Sequence, residues 1–160
     1  MSPALNNNGW LTRRLRKAWA LSWMERLLLL ESAALLLAVE LGLKLLPLKN
    51  LMALLEAGRS VNGTGARGDF VGAERMAYLL EIASRYLVPK ATCLKKSLAL
   101  YGLLNRKGMS AKLVIGAAKA DGRLDAHAWV EHQGRVLTAG PPVERYARLG
   151  GFAVEDALAK

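Results

Sequence analysis

The sequence has little of what cross-links small folds or binds metals: it contains one cysteine, Cys93, and two histidines. A single cysteine excludes an internal disulfide and a cysteine-rich zinc site, and it fits a protein of a reducing compartment. Internal repeats and low-complexity tracts are also absent. The 160 residues are enough for one domain with one hydrophobic core. Cys93 and the two histidines are therefore the first candidates for catalytic side chains.

Acidic residues are missing from residues 85–119, although the chain carries a net charge of +10. The basic residues of this block are Arg85, Lys90, Lys95, Lys96, Arg106, Lys107, Lys112 and Lys119. The block is either a solvated face or a surface that attracts a polyanion, an acidic peptide or an acidic protein. Two aromatic residues, Tyr86 and Tyr101, interrupt it, and no zinc-finger or RNA-binding motif accompanies it. We therefore do not expect nucleic acid as a partner.

Long uncharged apolar runs are also missing. The most hydrophobic stretch, residues 25–48, is interrupted by Glu31, Glu40 and Lys44, and its longest uncharged run covers only residues 32–39. A membrane span needs about 20 mostly apolar residues, and no small-residue cleavage site follows as in a signal peptide. The stretch predicts a buried or partner-facing helix, with peripheral membrane contact as the alternative. We expect a cytoplasmic protein.

Composition along the chain predicts one domain with three parts. Residues 1–9 are turn formers and are expected to be disordered, whereas residues 10–160 are expected to form a single domain. Its parts are a mainly helical segment (10–88), a Cys/His core (89–140) and a C-terminal extension (141–160).

The core is predicted to consist of a helix followed by antiparallel strands, which is typical of α+β folds. The helix covers residues 92–108, with Thr92 as its N-cap and Gly108 as its end. Strands are predicted at residues 111–119, 125–132 and 135–140, and the Gln-Gly pair between the last two predicts a tight turn.

Cys93 is predicted to lie in the first turn of its helix, directly after Thr92. Free backbone N–H groups and the helix dipole stabilise an anion there, and Lys95 and Lys96 act in the same direction. The first-turn amides could also donate to the oxyanion of a tetrahedral intermediate. Cys93 is therefore a candidate nucleophile, with a buried inert thiol as the alternative.

His127 is the candidate general base, with an uninvolved surface histidine as the alternative. Strand alternation places His127, Trp129 and Glu131 on one face, and Ala126, Ala128 and Val130 on the other. The small residues suit close packing, so we expect the imidazole to face the helix of Cys93. Trp129 could wall the site or bind substrate. The second histidine, His132, lies on the other face beside the predicted turn, and we expect it to be exposed.

The order of these motifs resembles a known family. The stretch "PKATCLKKSLALYGLLNRKG" is followed by a strand rich in small residues and then by "HAWVEHQGRVL". This pattern is similar to the transglutaminase-like cysteine peptidases of lasso-peptide biosynthesis, and more closely to the stand-alone peptidase half of their split leader-peptidase pair. The resemblance implies a transglutaminase- or papain-like α+β core, with the catalytic cysteine at a helix N-terminus packed on a small antiparallel sheet and N-terminal helices before it.

The resemblance also implies a reaction. Such enzymes remove the leader peptide from a ribosomally made precursor. Cys93 would attack the scissile carbonyl, His127 would take and return the proton, and water would hydrolyse the thioester. No metal or organic cofactor is implied. The alternatives are a non-catalytic binding or scaffold module of a peptide-maturation complex, and an acyltransferase that uses the same Cys-His pair.

Partners follow from the same resemblance. The precursor peptide would be delivered by a small leader-binding protein, a RiPP recognition element, and the lasso cyclase is a further candidate partner. The sequence does not identify the precursor or the cleavage site.

The sequence departs from the family at the residue that orients the histidine. Family members commonly carry an Asp on the strand after the histidine, whereas here residues 137–140 read Leu-Thr-Ala-Gly. Asp125 shares a face with His127, but neighbours on one strand face point in parallel. We rank Thr138 or a backbone carbonyl first as the substitute, Glu144 second and an inactive site third.

Overall fold

The computed structural model describes residues 22–58, 70–120, 123–138 and 140–152. Residues 1–9, predicted to be disordered, lie outside these ranges. The first part of the described chain is helical, with α1 (Trp23–Leu45), α2 (Leu48–Ala57), α3 (Phe70–Leu87) and α4 (Cys93–Arg106). Ser22 and Glu25 form a reciprocal capping box that starts α1, and Pro47 follows its end. The predicted helical first part and the helix after Thr92 are thus present.

The second part is an antiparallel sheet of four strands in the order β3-β2-β1-β4. The strands are β1 (Lys112–Ala120), β2 (Arg123–His132), β3 (Arg135–Val136) and β4 (Ala147–Phe152), with a short 3₁₀ turn at Val143–Arg145. The predicted α+β fold is confirmed. Gln133 and Gly134 take positive φ values of 52° and 75°, which suits the predicted tight turn between β2 and β3.

Two details of the sheet differ from the sequence prediction. The third strand ends at Val136 rather than continuing to residue 140. The fourth strand was not predicted; it lies in the segment expected to be an extension, and it pairs with the free edge of β1. The strand contains two adjacent glycines, Gly150 and Gly151, so it lacks the side-chain alternation that marks a half-buried strand.

Helix α4 lies at the centre of the core. Its residues from Ser97 to Asn105 are all buried, and it packs against α1, α3 and β2. Leu113 of β1 and Val130 of β2 join the same apolar cluster, so one sheet face closes on the helices. The Ser97 hydroxyl donates to the Ala128 carbonyl at 2.9 Å, a buried bond that fixes the position of α4 along β2. Because the residue before Ala128 is His127, this bond also fixes Cys93's helix relative to the candidate base.

Helix α1 is apolar on both sides. Leu35, Leu36 and Val39 are buried against the other helices, whereas Leu30 and Leu41 are exposed. No helix in the described part of the chain is long and apolar enough to cross a membrane.

Glutamates of α1 and α3 neutralise much of the basic block. Ion pairs join Lys95 to Glu40, Lys96 and Arg85 to Glu81, and Arg106 and Lys107 to Glu31. The acidic partners are distant in sequence from most of these basic residues, which is why the sequence alone shows only unbalanced charge. The positive charge available to an external partner in this block is therefore smaller than the sequence suggests.

Candidate active site

Cys93 is the first residue of α4, as predicted. Thr92 caps the helix, because its hydroxyl accepts a hydrogen bond from the Lys95 backbone N–H at 3.4 Å. The thiol is free and half-buried. Among the described residues, the backbone N–H groups of Cys93 and Leu94 donate to no acceptor, so two first-turn donors remain beside the sulfur.

Lys95 and Lys96 do not act on the thiol as free charges. Lys95 is paired with Glu40, and Lys96 is 3.0 Å from Glu81. Each positive charge is therefore balanced by a carboxylate from another helix. The stabilisation of an anion at Cys93 depends on the helix N-terminus more than the sequence suggests.

His127 lies in β2 opposite Gly116 of β1, and its side chain is buried. Its ring stacks on Trp129, with centroids 6.1 Å apart and planes at 19°, and lies 5.3 Å from the ring of Tyr146. Burial lowers the pKa of His127 below its usual value, and the negative charge of Asp125 acts in the opposite direction. The imidazole is consequently neutral at pH 7 and able to accept a proton.

Gly140 lies against the Nε2 edge of the imidazole. A Cβ atom built on Gly140 would be 2.7 Å from Nε2 and 3.0 Å from Cε1 of His127, a separation that real Cβ atoms do not show. The backbone thus occupies the space beside Nε2 where the resemblance led us to look for a carboxylate. No hydrogen bond to either imidazole nitrogen occurs among the described residues.

Tyr146 was missed by the sequence analysis, although it is the closest ring to His127. It is buried, and its hydroxyl donates to an oxygen of Asp125 at 2.8 Å. This hydrogen bond raises the pKa of Tyr146, with burial and the Asp125 charge acting in the same direction, so the phenol keeps its proton.

Gly116 makes room for the two aromatic rings. A Cβ atom at this position would be 2.9 Å from Trp129 and 2.9 Å from Cβ of Tyr146. An isolated glycine inside a strand pattern is a signal for close approach of another group. That signal was present in the sequence, but it does not say which residue approaches. Tyr146 reaches Gly116 only because β4 pairs with β1.

Trp129 is placed on the same strand face as His127 and Glu131, as predicted. It is 1% exposed, and its Nε1 donates to Glu131 at 2.8 Å. It also stacks on His127, and its roles as a wall of the site or a substrate contact stay predictions.

None of the predicted substitutes for the missing acid forms a hydrogen bond with His127 among the described residues. The Thr138 hydroxyl accepts a hydrogen bond from the Val130 backbone N–H at 3.3 Å. Glu144 lies in the 3₁₀ turn and is exposed. Asp125 binds the Tyr146 hydroxyl and lies 3.7 Å from Arg145, so its charge reaches the imidazole without a direct bond.

The expectation that His132 is exposed is wrong. Its side chain is 4% exposed, its Nδ1 donates to the Ser110 carbonyl, and its ring stacks on Phe70 with centroids 6.3 Å apart. It lies with Val130 on the side of β2 that packs on the helices. Phe70 starts α3, so the burial comes from a long-range contact that local patterning does not reveal. The His127 ring packs on Trp129 and Tyr146 on the opposite side, so the expectation that the imidazole faces the helix of Cys93 is wrong as well.

Cys93 also borders an open cavity of about 470 Å³. Residues of α3, α4 and the β2–β3 hairpin line it, and Ala128 and Thr138 are among them. Cys93 is part of this lining, whereas His127, Trp129 and Tyr146, which we call the aromatic cluster, are not. No group of three or more potential metal-binding side chains occurs in the described ranges.

A family model described as the transglutaminase-like superfamily matches residues 33–150. Comparisons with curated proteins and with solved structures find no significant match. The match spans α4 with Cys93, β2 with His127 and the turn that holds Tyr146, and it covers well over half of the chain. With these elements in place, the chain belongs to the transglutaminase-like superfamily, which includes cysteine peptidases.

Proposed function

We propose that this protein is a cysteine peptidase that removes the leader peptide from a ribosomally made lasso-peptide precursor. The observation that supports it most is the position of Cys93, which starts α4 and lines an open cavity. Family membership supports the broader part, a cysteine peptidase or acyltransferase. The narrower part, leader removal, rests on the resemblance of the "CLKKSLALYGLLNRKG" and "HAWVE" motifs.

In the proposed first step, the thiol proton of Cys93 passes to His127 and Sγ attacks the scissile carbonyl carbon. Gly140 blocks the Nε2 edge of the ring, so Nδ1 is the nitrogen that accepts the proton. Lowering of the His127 pKa by burial keeps the ring neutral and ready to do so. Cys93 and His127 are not hydrogen-bonded in this structure, and such catalytic bonds often tighten only when substrate binds.

The tetrahedral intermediate carries a negative oxygen that needs donors. Among the described residues, the backbone N–H groups of Cys93 and Leu94 have no acceptor, so they can donate to this oxygen. The Lys95 N–H is not available, because it donates to the Thr92 hydroxyl. His127 then returns its proton to the leaving amine as the carbon–nitrogen bond breaks. Water hydrolyses the remaining thioester, giving one proton to His127 and restoring the Cys93 thiol.

In the proposed mechanism, ring packing and the charge of Asp125 replace the acid that orients the histidine in family members. Trp129 and Tyr146 hold the plane of the imidazole, and Tyr146 in turn holds Asp125 near it. The Asp125 charge favours the imidazolium that forms during attack. For a direct acceptor, Thr138 or a backbone carbonyl of its loop is still our first candidate, and Glu144 is the second.

The proposal includes the partners implied by the resemblance. A small leader-binding protein would deliver the precursor to Cys93, and the lasso cyclase would take the product. The protein would act in the cytoplasm, where a ribosomally made precursor is available.

A non-catalytic binding module is the second candidate. The absence of an acid from the loop after β3, and of a hydrogen bond to His127 among the described residues, favours it. An acyltransferase would share the thioester and differ only in using an amine in place of water.

The test is cleavage of a candidate precursor, with and without its leader-binding protein, followed by mass spectrometry. We expect Cys93→Ala and His127→Ala to abolish cleavage and keep the fold, as judged by circular dichroism. His132→Gln is the matched control, because it removes the other buried histidine from the opposite face of β2 and should retain cleavage. Cleavage by folded Cys93→Ala would rule out the proposed nucleophile, and no cleavage by the unmodified protein with its partner would favour the binding module.

A further inference from the structure

Three parts of the chain line the cavity beside Cys93. They are α3, the start of α4, and the β2–β3 hairpin with the residues that follow it. The cavity volume of about 470 Å³ falls within the range of roughly 300–1,000 Å³ typical of small-molecule sites. It is open to solvent on one side, so a chain segment can enter without a change in the fold.

The deep surface of the cavity is apolar. Leu80, Leu100 and Ala128 form its nearly buried floor, and half-buried Ala77 and Leu137 with exposed Val136 offer the apolar area that a ligand can cover. Such a surface gains from covering by an apolar group and offers no partner to a charged one.

The charged residues of the lining are largely used by one another. Glu81 binds Lys96 at 3.0 Å and Arg85 at 3.2 Å, and Glu74 also lines the cavity, so the two carboxylates and two basic groups of the lining sum to zero charge. Selection by charge is therefore weak, and shape and apolar contact decide what binds.

We infer that this cavity is the subsite for an apolar side chain of the acyl-donor peptide, of aliphatic or aromatic type. The inference rests on the proposed function, because Cys93 at the cavity wall is the atom group that the scissile carbonyl must reach. A leucine- or phenylalanine-sized side chain in the cavity anchors the peptide and brings its neighbouring carbonyl to Sγ.

The test uses the fact that Cys93 is the only cysteine, so every alkylation event reports on this site. Iodoacetamide and N-benzyliodoacetamide both react by displacement of iodide by the Cys93 sulfur, and only the second carries an apolar group. We expect the ratio of their rate constants, benzyl over unsubstituted, to exceed the ratio for glutathione by about tenfold or more, the size of a typical apolar-pocket discrimination. A ratio equal to that of glutathione would overturn the inference.

Two filling variants locate the effect. Ala77→Trp fills the cavity from α3, and Val136→Trp fills it from β3, where the native side chain is 38% exposed and a larger one leaves the core untouched. Both should bring the ratio to the glutathione value, and a general change in access to Cys93 cancels because the ratio divides by the iodoacetamide rate constant. Ala53→Trp, on the exposed side of α2, is the matched control and should keep the unmodified protein's ratio. A ratio unaffected by both filling variants would overturn the inference.

Labelling separates this inference from the proposed function, because alkylation needs no cleavage. A high benzyl ratio without precursor cleavage would leave the subsite in place and contradict the peptidase. Cleavage with a glutathione-like ratio would support the peptidase and contradict the subsite.

Discussion

Replacing Gly116 by alanine tests whether aromatic packing holds His127. The added Cβ would be 2.9 Å from both Trp129 and Tyr146, so at least one ring must move. Neither ring moves freely, because both are buried and both donate hydrogen bonds, to Glu131 and Asp125. Overpacking of this kind costs about 1–3 kcal/mol of folding free energy. We expect that loss in urea unfolding, together with a drop in precursor cleavage larger than the loss of folded protein explains.

Gly102→Ala is the matched control for this substitution. Its Cβ would be 2.8 Å from Cδ2 of Leu55, the end of a flexible side chain, and about 1 kcal/mol of gained helix propensity offsets the crowding. It lies in α4 away from the aromatic cluster and should leave both stability and cleavage near those of the unmodified protein. If Gly116→Ala were as stable and as active as the control, the packing argument would be refuted.

Three further predictions concern the surroundings of His127. Tyr146→Phe removes only the bond to Asp125, worth about 1 kcal/mol, and should lower kcat about fivefold with KM unchanged in steady-state kinetics. Asp125→Asn removes the charge that opposes the effect of burial, so the pKa of His127 should fall further, and an NMR titration that showed a rise or no change would contradict this. Gly140→Ala places a Cβ 2.7 Å from Nε2 of His127, so kcat should fall. Because Gly140 is exposed, Tm should change little. An unchanged kcat would mean that the imidazole has another position.

The sequence predicted those parts of the site that depend on neighbouring residues. Thr92 followed by an apolar helix pattern predicted the helix start at Cys93, and both are present. Strand alternation around His127 predicted that Trp129 shares its face, and the two rings stack. These features depend on residues within a few positions of each other, where capping and periodicity apply.

Long-range pairing determined what the sequence did not predict. Tyr146 joins His127 because β4 pairs with β1, and β4 has a weak pattern with two adjacent glycines. His132, on β2, is buried because Phe70 of α3 stacks on it. The charge on Lys95 is balanced by Glu40, which is far away in sequence. In each case the partner is set by how elements pack, which no local window contains.

The central claim is that Cys93 forms a covalent thioester with the peptide it cleaves. Acid quenching of the protein with its precursor and leader-binding partner, followed by intact-mass measurement, tests it most directly. We expect an adduct with the mass of the acyl fragment on Cys93, absent from Cys93→Ala and hydrolysed with time. Precursor cleavage by the folded Cys93→Ala variant would contradict it.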